Sequence, residues 1–158
     1  MWGVVAEWTY GIRNTTMNTM AGKPNLSPEE KTELLKEIAI INVKKSNGTV
    51  QSDYSDLLEY VQKDRDLLCR ELELLCPNVI VCGNNSSLLR VLYGATVTDR
   101  GRVADDGRID YSFMRAHGFA FIGNTIILDF YHPANQYPSM MNYYTVCSLY
   151  QQALNWKE

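Results

Sequence analysis

The sequence predicts an α/β fold, a mostly parallel sheet between two helical layers in a three-layer α/β/α arrangement, within one domain spanning residues 1–158. Three observations predict it. Ile38-Ala39-Ile40-Ile41 and Val79-Ile80-Val81-Cys82 are apolar at every position, as strands covered on both faces are. Amphipathic helical patterns alternate with these runs, which is how parallel strands are connected. A chain of 158 residues has room for one buried core, and 46% hydrophobic with 21% charged residues is an ordinary globular balance.

Taken in order, residues 1–12 hold two tryptophans, a tyrosine and several aliphatics with no turn residue between Gly3 and Gly11, which fits a short buried helix. Residues 14–25 have a loop composition. Ser27-Pro28-Glu29-Glu30 then opens a helix: Ser27 caps, Pro28 suits the first helical position and Glu30 completes the capping box, with both acids near the positive end of the helix dipole. The helix ends near Glu37, where the first apolar run begins. Lys44-Lys45-Ser46-Asn47-Gly48 breaks that run with a polar loop. A long helix follows, capped by Ser52 or Asp53, apolar at 54, 57, 58, 61, 68, 72 and 75, and closed by Pro77.

The second apolar run ends at Gly83, and Asn84-Asn85-Ser86-Ser87 leads into a helix carrying Leu88, Leu89, Val91 and Leu92. Residues 94–118 mix Gly, Asp and Arg with few apolar anchors and read as a surface excursion. Residues 119–122 and 125–130 are strand-like runs joined by Gly123-Asn124, a tight hairpin turn. Pro138 opens a closing helix through about Trp156.

Composition narrows the function classes. No apolar stretch approaches the roughly 20 residues of a membrane span, and the first eight residues lack the basic start of a secretory signal, so a cytoplasmic location without membrane association is expected. Cysteines 69, 76, 82 and 147 form no C-x-x-C pair and none adjoins a histidine, so they read as reduced thiols, with no metal and no redox cofactor implied. The net charge of −3 gives no general attraction to a polyanion, so any nucleic-acid contact is local.

In parallel sheets ligands bind beyond the carboxyl ends of the strands, which directs attention to three loops. Asn42, after the first run, offers one acceptor and two donors and can match a nucleobase amide edge; the adjacent lysines, Lys44 and Lys45, suit phosphate. Its bland reading is a strand-terminal asparagine satisfying a turn. Gly83 and the following serines leave backbone N–H groups at a helix start, an arrangement that binds anions and equally well serves capping alone. The third loop, Asp129-Phe130-Tyr131-His132-Pro133-Ala134-Asn135-Gln136-Tyr137-Pro138, fixes a histidine by a following proline at the mouth of a buried strand. A neutral imidazole there can donate to a developing oxyanion. His117 has no comparable context.

An Ile-Ile-Asn strand end, a Val-Ile-Val-Cys-Gly strand end and an apolar strand closing in His-Pro, in this order, resemble the uracil-DNA glycosylase superfamily over roughly residues 35–150. The resemblance implies a glycosylase-like fold, base recognition by Asn42, stabilisation of the departing base anion by His132, and phosphate contacts from Ser86, Ser87 and Ser139. It also implies DNA or a free nucleobase as partner and, if the chain is catalytic, hydrolysis of a base-sugar N-glycosidic bond on a flipped base.

The chain departs from the family in two places. The family's first strand and its Gly-x-Asp-Pro loop, which positions the attacking water, have no match here. Only Trp2-Gly3 fits the end of such a segment, with the strand itself before Met1. His-Pro-Ala-Asn-Gln-Tyr-Pro stands where the family has His-Pro-Ser-Pro-Leu-Ser, leaving Tyr137 to replace the apolar wedge. Since the absent strand is an interior one, three resolutions are open: the chain is truncated, the strands at 38 and 79 pair directly, or a homodimer completes the sheet. A shortened relative that pairs directly or dimerises is the favoured one. The rival functional class is a non-catalytic interaction or structural protein keeping the scaffold, with Tyr143, Tyr144 and Tyr150 forming an interface on the closing helix. A small-molecule hydrolase using the same pocket is a third, against which no Gly-x-Ser-x-Gly elbow occurs.

Overall fold

The structure, a computed structural model, describes residues 1–44, 54–93, 97–99 and 118–156. It is an α/β protein with the order α1 (Trp2–Asn14), α2 (Pro28–Leu35), α3 (Tyr54–Lys63), α4 (Arg65–Leu75), β1 (Val79–Gly83), α5 (Ser87–Tyr93), β2 (Val97–Asp99), β3 (Gly118–Ile122), β4 (Thr125–Phe130) and α6 (Ser139–Trp156). The strands form one sheet in the order β1-β4-β3-β2. The expectation of a mostly parallel sheet is corrected: β1 and β4 are parallel, while β3 is antiparallel to both β4 and β2. For the β3–β4 pair the cause is local, since the two-residue Gly123-Asn124 connection, with Gly123 at φ +55, returns the chain directly alongside itself.

Side-chain alternation along β4 divides the core between the two faces of the sheet. Ile127 joins Ala120 and Cys82 against Val61, Leu68, Leu72, Leu88 and Leu92 of α3, α4 and α5. Ile126, Leu128 and Phe130 turn the other way, with Phe119 and Phe121, toward Trp8 of α1 and Val146, Leu149 and Ala153 of α6. Helices therefore cover both faces. On the second face α1 crosses α6 closely: a Cβ on Gly11 would lie 2.5 Å from Cys147 Sγ and 2.9 Å from Tyr143 Cε2. The loop after α1 is fastened to α6, where Tyr143 Oη donates to the Gly22 carbonyl at 2.9 Å and Lys23 N–H donates to Tyr144 Oη at 3.3 Å.

The α2 start forms the expected capping box, with Glu30 N–H donating to Ser27 Oγ and Ser27 N–H to the Glu30 carboxylate. The single long helix expected before Pro77 is two, α3 and α4, separated at Asp64 (φ −101, ψ 19), a residue type that favours helix ends over interiors. Ser52 and Asp53, its expected caps, lie outside the described residues, as do Lys45 and His117 and most of the 94–118 excursion. Cys76 ends α4 in the left-handed conformation at φ 42, immediately before Pro77. No described helix is long and apolar enough to cross a membrane. All four cysteines are free.

The largest correction concerns residues 38–41, which form no strand. Direct pairing of this segment with β1 is also absent: β1 stands at the edge of the sheet, and its described neighbour is β4. An apolar β-branched run becomes a strand only when a partner backbone is within hydrogen-bonding distance, and a cavity of about 1480 Å³ lies here, lined by both Ile38-Ala39-Ile40-Ile41 and Val79-Ile80-Val81-Cys82. Ile40 is consequently 57% exposed.

Candidate functional site

The mouth of this cavity is built where β1 and β4 end together. Their parallel register places Gly83 opposite Phe130, and Asn84 N–H donates to the Phe130 carbonyl at 2.6 Å, so the two following loops leave the sheet side by side. Asn84 makes its turn at φ +62, a conformation asparagine tolerates better than most residues. Gly83 has to be small: a Cβ there would lie 3.3 Å from both the Cα and Cδ2 of His132. The glycine thus lets the imidazole lie against the β1 tip.

His132 is exposed at this mouth on a braced loop. Its Nδ1 accepts from Ala134 N–H at 3.2 Å, so the neutral ring carries its proton on Nε2, which remains a donor for a ligand. The His132 carbonyl accepts from both the backbone N–H and the Nδ2 of Asn135, each at 2.9 Å. Asn135 Oδ1 in turn accepts from Tyr137 N–H and from Nδ2 of Asn142, also at 2.9 Å each. Asn142 is only 2% exposed, at the start of α6, and a second contact from its Nδ2 to the Tyr137 carbonyl at 3.3 Å ties the loop to the helix. Sequence reasoning missed Asn135 and Asn142 as positioning residues. Asn135 carried a readable signal, an asparagine two residues before the N–H it caps; Asn142 carried none, lying in an unremarkable helical stretch.

Asn42 and His132 line the same cavity, together with Gly83, Asn84, Asn85 and Pro133. The other residues expected in the site fare differently. Lys44 also lines the cavity, but its ammonium donates to Asp56 at 2.6 Å and lies over the Tyr60 ring at 4.5 Å; the hydrogen bond to Asp56 is the foremost cause that holds its pKa above the usual lysine value. Ser86 is buried at the start of α5. Ser87 Oγ accepts from Tyr54 Oη at 2.9 Å, a link from α3 to α5 beside the mouth. Ser139 is exposed at the first residue of α6. Tyr137 packs its ring 4.8 Å from that of Tyr131, tilted by 31°, at the outer side of the His132 loop.

Among the described residues of the cavity wall, the one carboxylate is Glu37, and it is ion-paired with Arg13. No group of three potential metal ligands occurs among the described residues. What the arrangement offers is an amide, an imidazole, backbone groups of the β1 turn and apolar walls, a set suited to holding a planar, hydrogen-bonding ligand. Comparison with protein-family models, with curated proteins and with solved structures found no match in any of the three.

Proposed function

We propose that this chain binds a nucleobase, free or within a single strand of nucleic acid, at the mouth of the cavity between β1 and the 38–43 segment, on a scaffold of the three-layer glycosylase-like kind. The observation that carries the proposal is that Asn42 and His132, ninety positions apart in the chain, line one cavity. A uracil edge presents a carbonyl acceptor, an N–H donor and a second carbonyl acceptor. The Asn42 amide complements one carbonyl and the N–H in a bidentate fashion, and the His132 Nε2–H complements a carbonyl.

Binding is favoured over hydrolysis of the glycosidic bond. Activating water needs an acid or amide with free capacity near the base, and Glu37, the carboxylate of the described cavity wall, is committed to Arg13. The same observation supports the second reading, a scaffold that recognises a partner without catalysis. The test is equilibrium titration with uracil, thymine and a uracil-containing single strand. Uracil and the uracil-containing strand are expected to bind, and thymine, which presents the same edge, to bind comparably, with His132→Ala and Asn42→Ala each weakening binding about tenfold, the worth of one well-made hydrogen bond. No binding of uracil, or no effect of His132→Ala and Asn42→Ala on it, overturns the proposal.

A further inference from the structure

Beyond the base site, we propose that the slot along β1 accepts one extended, uncharged, apolar peptide strand from another polypeptide, which adds to the sheet at its free edge. Alternation along a parallel pair sends the N–H and C=O of every second residue to the same side. Asn84 N–H reaches the Phe130 carbonyl and Ile126 N–H reaches the Asn78 carbonyl, so the even-numbered residues of β1 serve β4. Val79, Val81 and Gly83 therefore direct their backbone groups away from β4, and all three line the cavity. Three donor-acceptor pairs at a two-residue repeat are a template for a strand.

The walls specify the occupant's side chains. Val79 and Val81 pack with the Trp8 cluster on one face of the sheet, while Ile80 and Cys82 pack with the Leu68 cluster on the other. A strand continuing this sheet meets apolar surface on both faces. Charge selects in the same direction: Arg13 pairs with Glu37, Lys36 with Glu33 and Lys44 with Asp56, so the charged side chains on the described wall are neutralised from within the protein, and a charged segment would find no partner. A separate observation also points to an occupant. Trp8 lines the slot, is 4% exposed, and its indole N–H has no acceptor among the described residues. The five residues of β1 set the length, about 17 Å of extended chain.

The probe is a blocked synthetic peptide with five alternating valines and isoleucines between solubilising lysine-glycine ends, followed by amide hydrogen exchange of the full chain. Binding is expected to slow exchange at Val79, Val81 and Gly83 by about tenfold or more, with little change at the β3 amides. N-methylation of the alternate peptide amides that face β1 is expected to abolish both effects, whereas methylation of the intervening amides leaves them. No protection at about 1 mM peptide, or equal protection by both methylated peptides, overturns the proposal. So does protection of Val81 already present in the free protein: a dimeric sedimentation coefficient then assigns the edge to a second copy, and a monomeric one to closure of the 38–43 segment. A loss of uracil binding with peptide protection intact counts against the base site alone.

Discussion

The two halves of the sheet make opposite use of similar sequence. Around β4 every residue from Ile126 to Phe130 is buried, flanked by strands on both sides and by α1 and α6 on one face. Along β1, Cys82 is buried and its neighbours are only partly buried, although the strand is as apolar as β4 and as rich in β-branched residues. The difference among the described residues is one neighbour, since β1 pairs along one edge and β4 along two. Where a strand has partners on both edges its apolar residues become core; where one edge is open the same residues line a cavity. Each face of the sheet keeps its own buried cluster, and the proposed ligand site lies at the open edge.

The comparison is broken most severely by emptying the closed half. Leu128→Ala, at a fully buried position, is expected to cost about 3 to 5 kcal/mol in a denaturant melt, while Val81→Ala on the open edge costs about 1. Equal losses would mean that the cavity is as well packed as the core. High pH strikes next, at buried groups on both faces of the sheet. Burial raises the pKa of Cys147, Tyr143 and Tyr150 on α6, and of Cys82 across the sheet, above the ordinary 9.0 for thiols and 10.0 for phenols. The folded state holds these protons more tightly than the unfolded chain, so stability is fully present below about pH 9 and declines as pH rises beyond it. Denaturant midpoints at about pH 7 and pH 10.5 check the sign. A smaller effect is expected of Gly11→Ala. The alanine gains about 1 kcal/mol of helix propensity yet drives a methyl into Cys147 and Tyr143, for a net loss of about 1 to 2 kcal/mol in the same melt. Ser27→Ala, which removes the capping box of an exposed helix, costs about 1 kcal/mol. Ile40→Ser is expected to change stability by less than about 0.5 kcal/mol, because the side chain already faces water.

Local signals were legible where the chemistry is local. The Ser27 box, the Gly123-Asn124 turn, the stop at Pro77 and the limits of α6 all followed from residue types at fixed spacings. The strand expected at 38–41 does not form, because apolarity specifies a buried environment and cannot specify a partner; pairing is a property of two segments. The sheet's mixed character was likewise hidden, although the hairpin at Gly123-Asn124 already required one antiparallel pair. In the site, Asn42 and His132 stood out as polar residues ending apolar runs. The commitment of Lys44 to Asp56, twelve positions on, and the support of the His132 loop by Asn142 depend on tertiary contacts that no spacing encodes.

The central claim is that Asn42 and His132 serve one ligand. It is tested most directly by following the side-chain amide of Asn42 and the ring of His132 by nuclear magnetic resonance during a uracil titration. Both sets of signals are expected to shift along curves with one dissociation constant, and His132→Ala is expected to weaken the response of the Asn42 amide by the same factor as it weakens binding. Signals that move with different constants, or a shift at one residue while the other stays still, would contradict it.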